Sequence, residues 1–222
     1  MHFEILVEDA SGGKLLERVV PGIICGEGGE AEQDTTFRIH TYKGIGHIPK
    51  GLKPGDDPQG RLLLDQLPRL LRGYGRSLKG VDAAVVVIVD QDSRSCRELK
   101  QDMVAVLRAC DPKPTALLRI AIEEIEAWLL GDRAAIERAY PKAKRGPLNE
   151  YVQDAVCGTW EILADAVYPG GSKALGKLGY PVIGQVKCEW AERIGPELDV
   201  ERNASKSFQV FRDGLRRLAR KT

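Results

Sequence analysis

The chain has 222 residues, 43% of them hydrophobic, with 33 Lys/Arg set against 32 Asp/Glu and a formal net charge of +1. That length suits one sizeable domain, or one domain with an extension, and the apolar content is enough for a core. So even a charge balance provides no global field to attract nucleic acid or a membrane surface, and any polyanion must meet a local patch.

Phe3 to Glu8 reads as a first strand ending at an acid, and Asp9-Ala-Ser-Gly-Gly as a turn. Lys14 to Val20 opens a helix with Leu15, Leu16 and Val19 on its apolar side. Gly22 to Asp34, rich in glycine and acids, reads as a loop. Thr36 to Tyr42 alternates polar and apolar residues and predicts a second strand. A Gly/Pro/Lys-rich loop over Lys43 to Gly60 follows, then an amphipathic helix carrying the leucines from Leu62 to Leu71.

Val85-Val86-Val87-Ile88-Val89 then leads straight into Asp90-Gln91-Asp92. A short apolar run of β-branched residues predicts a strand buried on both faces, as in the middle of a parallel sheet. Ser93 or Ser95 caps the next helix, whose inner stripe is Leu99, Met103, Val106, Leu107 and Cys110. Asp111-Pro112 ends it. Ala116 to Ile122 is a fourth strand, running directly into a helix at Glu123.

Strand and helix alternate, so the fold class is α/β, with a mostly parallel four-stranded sheet, right-handed crossovers and helices on its faces. This domain spans 1–133. A mainly helical extension, packed on it as one unit, covers 134–222, with a break at Lys144-Arg-Gly-Pro147, a glycine-rich connection over Tyr168 to Ile183, and a basic last helix.

The acids fall at three strand ends: Glu8, then Asp90 and Asp92, then Glu123 or Glu126, with Glu124 expected on exposed helix surface. In a parallel sheet these ends share one edge, with neighbouring strands about 4.8 Å apart. Side chains at i and i+2 of an extended chain share a face, so Asp90 and Asp92 converge. Converging carboxylates call for a hard cation, Mg2+ or Mn2+ in its place, which can activate a water and stabilise a leaving oxygen of a phosphodiester.

Other residues have more ordinary readings beside functional ones. Lys43, His47 and Lys50 lie in a glycine-containing loop that lacks the Walker pattern: phosphate contacts, or simply a surface loop. His47 could also serve as an acid or base. Arg216 and Arg217 in the basic tail could grip a nucleic-acid backbone or form a solvated helix face. Trp128 at helical spacing from Ile125 reads as core. Glu4, Glu8 and Asp9 interrupt the first apolar run, so no signal peptide is expected, and no stretch approaches the roughly 20 apolar residues of a membrane span. Five scattered cysteines without a Cys-x-x-Cys pair suit a reducing cytoplasm.

The segments "LVEDASGGKLL" and "VVVIVDQDSRSC" resemble the Toprim fold of topoisomerases, bacterial primases and overcoming-lysogenisation-defect nucleases. "DQDSRSCRELK", "IAIEEIEAWLLGD" and "NASKSFQVF" resemble a Toprim-like family often encoded beside ATPases in phage-defence loci. The resemblance implies Glu8, Asp90 and Asp92 as catalytic and metal-site residues, Glu126 as a further acid, and an ATPase as a partner. Asp9 stands where Toprim proteins often carry glycine, and Ser93 where a third aspartate is common. Nothing resembles the tyrosine-bearing domain of a topoisomerase.

Three functions follow as expectations: a magnesium-dependent nuclease or nuclease-like phosphoryl-transfer enzyme acting on DNA or RNA; a non-catalytic metal-binding subunit partnering an ATPase; and an aspartate-nucleophile phosphatase. The last normally carries Thr or Val where this chain has Arg94.

Overall fold

The computed structural model describes residues 1–25, 35–44, 46–49, 62–156 and 158–220. Four strands, β1 (His2–Val7), β2 (Thr36–Thr41), β3 (Ala83–Asp90) and β4 (Ala116–Ala121), form one sheet in the order β2-β1-β3-β4. Every pairing is parallel. The fold is therefore α/β with a wholly parallel sheet.

Helices α1 (Ala10–Cys25), α2 (Leu63–Ser77) and α3 (Cys96–Arg108) make the crossovers. Among the described residues seven more follow β4: α4 (Glu126–Leu130), α5 (Arg133–Ala139), α6 (Arg145–Glu150), α7 (Thr159–Val167), α8 (Gly171–Gly176), α9 (Tyr180–Ile194) and α10 (Lys206–Ala219).

All eight residues of β3 are buried, because successive side chains leave on opposite faces and both faces are covered. Val85, Val87 and Val89 pack with Leu64, Leu67 and Leu71 of α2 and Leu99, Met103 and Val106 of α3. On the other face Val7, Val86 and Ile88 pack with Leu15, Leu16 and Val19 of α1. That same cluster runs on without interruption into Ile136, Leu163, Trp190 and Phe208, so the core is continuous across residue 133.

Trp128 is fully buried, stacked on Phe211 with ring centroids 5.0 Å apart, and its indole N–H donates to Ser207 Oγ at 2.9 Å. Among the described residues no helix is long and apolar enough to cross a membrane.

Several boundaries differ from the sequence reading, each for a local reason. Helix α1 begins at Ala10, where a turn was expected, because the Asp9 carboxylate accepts the Gly12 N–H at 2.7 Å and caps it. Gly12 and Gly13 serve close approach rather than a turn: a Cβ on Gly13 would sit 2.4 Å from Thr41 Cγ2. The helix also runs through Pro21 to Cys25, beyond the expected loop start. The rest of that loop, from residue 26, and most of the 43–60 loop lie outside the described residues.

Pro147 lies in the first turn of α6, where no intrahelical partner for its missing N–H is required, so the expected break is a helix start. The expected glycine-rich connection contains α8 and the start of α9, which has proline in its first turn. Glu123 has φ of 60° and α4 begins only at Glu126, so β4 does not run straight into a helix.

Candidate functional site

The register aligns the carboxyl ends of the strands. Val7 pairs with Ile88 on one side and with Thr41 on the other, and Asp90 pairs with Ala121. Glu8, Asp90 and the turn after β4 therefore meet at one edge of the sheet, where ligands bind in open α/β folds.

Glu8 Oε2 accepts the backbone N–H of Asp90 at 3.0 Å, linking the ends of β1 and β3. Burial pushes the Glu8 carboxyl up to about 7, opposed by that hydrogen bond and reinforced by the charges of Asp92 and Asp9. Asp90 is 8% exposed, and its carboxyl is raised well above the ordinary range by burial, then by Glu8 and Asp9.

Two residues not anticipated from the sequence complete the cluster. Asp9 holds the start of α1 through Gly12, and its second oxygen accepts the Ser11 hydroxyl at 2.9 Å. Ser11 Oγ also lies 3.4 Å from Glu126 Oε1.

Lys187, on α9, brings its ammonium 3.0 Å from Glu126 Oε2 and 3.6 Å from Glu124 Oε2. Burial alone would lower Lys187, but Glu126, Glu124, Asp90 and Asp9 together hold it above its ordinary value. Glu126 is 1% exposed and raised by burial despite Lys187. Glu124, expected on open helix surface, is only 21% exposed at its side chain and is pushed by burial and Glu126 up to about 8. One lysine thus faces more carboxylates than it can neutralise.

Asp92 is exposed and has φ of 51°. The extended geometry that would align it with Asp90 stops at the end of β3, and its backbone N–H donates to Glu123 O at 2.9 Å. Its charge still acts on Glu8.

Glu123 is directed elsewhere: its carboxylate accepts the N–H groups of Gly158 (2.7 Å) and Thr159 (3.0 Å), capping α7. Glu8 and Asp90 are therefore brought together directly. Glu126 joins them through Ser11, Asp9 and Lys187, Asp92 stands at the margin, and Glu123 is committed to α7.

The basic candidates separate in the same way. Lys43 and His47 are exposed beside the site: Gly44 N–H donates to Glu8 O at 3.1 Å, and Arg94 donates to Gly46 O at 2.7 Å. A cleft of about 400 Å³ next to Asp92 is lined in part by His47, Ser93, Arg94 and Glu98. Lys50 lies outside the described residues. Arg216 is engaged with Glu201 and with Ile23 O, whereas Arg217 is exposed.

Among the described residues no three His, Cys, Asp or Glu side chains are already disposed around a single point as a metal would require. The donor chemistry nevertheless fits a hard divalent cation: oxygen ligands with surplus negative charge, Glu8 and Asp90 held above their ordinary pKa range by burial and by one another. Comparison of the chain with known protein families, with characterised proteins and with solved structures finds no match.

Asp9 carried a readable signal, an acid directly ahead of a helix. Lys187 carried none, since α9 was not recognised and its partners lie some sixty residues away in sequence.

Proposed function

We propose that the chain is a magnesium-dependent phosphoryl-transfer enzyme, a nuclease acting on DNA or RNA, with its site at the carboxyl edge of the sheet. The observation that carries this reading is the hydrogen-bonded pairing of Glu8 with the end of β3 at Asp90, inside a cluster of acids that one lysine does not neutralise. Asp90 and Asp92 would hold the cation with Glu126 nearby and with Glu8 either as a second ligand or as the general base, and the cation would activate water and stabilise the leaving oxygen.

Glu8, titrating near 7, is suited to accept and return a proton at neutral pH. Lys187 and Ser11 keep Glu126 in place. Phage defence is the setting that the resemblance to Toprim-like proteins suggests.

Incubation of plasmid and single-stranded substrates with Mg2+ or Mn2+ tests the proposal. Cleavage is expected from the native chain and lost on Asp90→Asn combined with Asp92→Asn; cleavage that survives both changes overturns it.

One observation favours a second reading, a non-catalytic metal-binding subunit of an ATPase: Lys187 already occupies Glu126 and Glu124 as a cation would. Calorimetric Mg2+ binding without cleavage, together with a stable ATPase complex, would select it. For an aspartate-nucleophile phosphatase, Asp90 would be the nucleophile, but such enzymes normally carry Thr or Val where this chain has Arg94.

A further inference from the structure

The acid cluster raises a problem for a polyanionic substrate. Carboxylates at the reaction centre repel phosphates, and a net charge of +1 supplies no general attraction. A local cationic surface near the same sheet edge must do the holding.

Such a surface lies along β4, an edge strand of the sheet. A cleft of about 480 Å³ opens between α3, β4 and α10, floored by Leu118, Ile120, Ile122 and Val210. Ile122 directly precedes the Glu123 turn, so the cleft runs up to the edge that carries Glu8 and Asp90.

Four cations gather on it or beside it. The Lys100 ammonium, on α3, donates to Leu118 O. Arg119 Nε donates to Val210 O at 3.1 Å and its Nη1 to Leu118 O at 2.9 Å. Lys206 lines the cleft from α10, and Arg217, whose charge acts on Arg119, is exposed further along the same helix.

Both anchored cations thus rest on neutral carbonyls. Among the described residues none of the four is ion-paired with a carboxylate. Among the described residues lining the cleft the one acid, Asp154, is committed: its oxygens accept from Ser205 Oγ at 2.7 Å and from Ser207 N at 2.8 Å. Burial and the charge of Arg119 push Lys100 down to about 8, as expected where positive charge lacks a counter-charge.

The geometry distinguishes a strand from a single anion. Lys206, Val210 and Arg217 recur at helical spacing on one face of α10, and Lys206 to Arg217 spans about 16 Å at the rise of an α-helix. That is longer than one phosphate group and suits a run of phosphodiesters.

We infer that the α3–β4–α10 cleft is a strand-binding surface, on which Lys100, Arg119, Lys206 and Arg217 contact the phosphate backbone of nucleic acid led to the Glu8–Asp90 edge. The choice of nucleic acid among polyanions rests on the proposed phosphoryl-transfer function.

Fluorescence anisotropy with a labelled single-stranded DNA oligonucleotide, measured with a metal chelator present so that no cleavage occurs, tests it. The native chain binds, with affinity falling as salt rises. Lys206→Gln with Arg217→Gln, both at exposed positions, weakens binding and lowers the slope of log K against log salt by about 1.4, from about 0.7 per phosphate contact. Lys206→Arg alone keeps the native slope. Lys79→Gln, ahead of β3 at the opposite edge of the sheet, also leaves it unchanged. Native-like binding and slope in the double variant, with a native melting curve, overturn the inference. So does displacement of the oligonucleotide by polyglutamate as readily as by unlabelled DNA, which assigns the cleft to an acidic protein segment. Asp90→Asn keeps this binding, so lost cleavage with intact binding bears only on the cation site and not on the strand surface.

Discussion

Replacing Lys187 by Met leaves a side chain of similar volume without the ammonium that faces the acid cluster. In the native fold that ammonium lies 3.0 Å from Glu126 Oε2, and the two side chains are 12% and 1% exposed. Removing one partner of a buried pair leaves an uncompensated charge and costs about 3–5 kcal/mol. The carboxylates limit that cost by taking up protons, so it depends on pH.

Lys187 itself is raised above 10.5, so its own charge is constant below that pH and sets no slope between pH 5 and 8. Glu126 and Glu124 are raised above 4.5, so the folded state binds more protons than the unfolded one in the window above 4.5, and stability falls as pH rises through it. Without Lys187 those carboxyls rise further and the window widens. Urea unfolding should therefore show Lys187→Met destabilised by about 3 kcal/mol at pH 8 and clearly less at pH 5. Glu126→Gln should recover part of the loss. A Lys187→Met chain within about 0.5 kcal/mol of native at pH 8, the range of ordinary surface changes, would refute the assignment of Lys187 as the cluster's counter-ion.

Glu8 carries a related expectation. Its carboxyl moves from 4.5 to about 7 on folding, so stability should decline between those pH values and level off above, by about 3 kcal/mol at 1.36 kcal/mol per unit. Denaturation of Glu8→Gln across the same range should show a flatter profile. Two glycines of α2 give opposite outcomes. Gly73 has open space where a Cβ would lie, and Gly73→Ala should stabilise by up to about 1 kcal/mol. A Cβ on Gly75 would sit 1.9 Å from Pro112 O, a backbone atom, so Gly75→Ala should cost about 1–3 kcal/mol in thermal unfolding.

The parts of this fold that follow short-range rules were legible. The unbroken aliphatic run from Val85 to Val89 announces a strand covered on both faces, and the alternation of strands and helices announces a parallel sheet. Acids placed directly after Val7 and Val89 then had to lie at one edge.

What was not legible depends on contacts made across the fold. Gly12 and Gly13 look like a turn until α1 is seen pressed against Val7 of β1 and Thr41 of β2. Pro147 looks like a break until it is found in a first turn. Asp92 sits two residues beyond the end of β3, where the chain turns into a left-handed conformation and a period of two no longer applies. Glu123 and Glu124 are neighbours with unlike surroundings, one capping α7 and the other beside Lys187. No local pattern separates them, and none points to a lysine on α9 as their counter-charge.

The central claim is that the acids at the sheet edge form a cation site. Calorimetric titration of the native chain with Mn2+ near pH 6.5, repeated in buffers of different ionisation enthalpy, tests it most directly. Binding should release protons, because a cation at this edge favours the ionised form of Glu8, whose carboxyl burial raises to about 7, and both the heat and the proton release should vanish in Asp90→Asn. Absence of binding, or binding that Asp90→Asn leaves unchanged, would contradict the account.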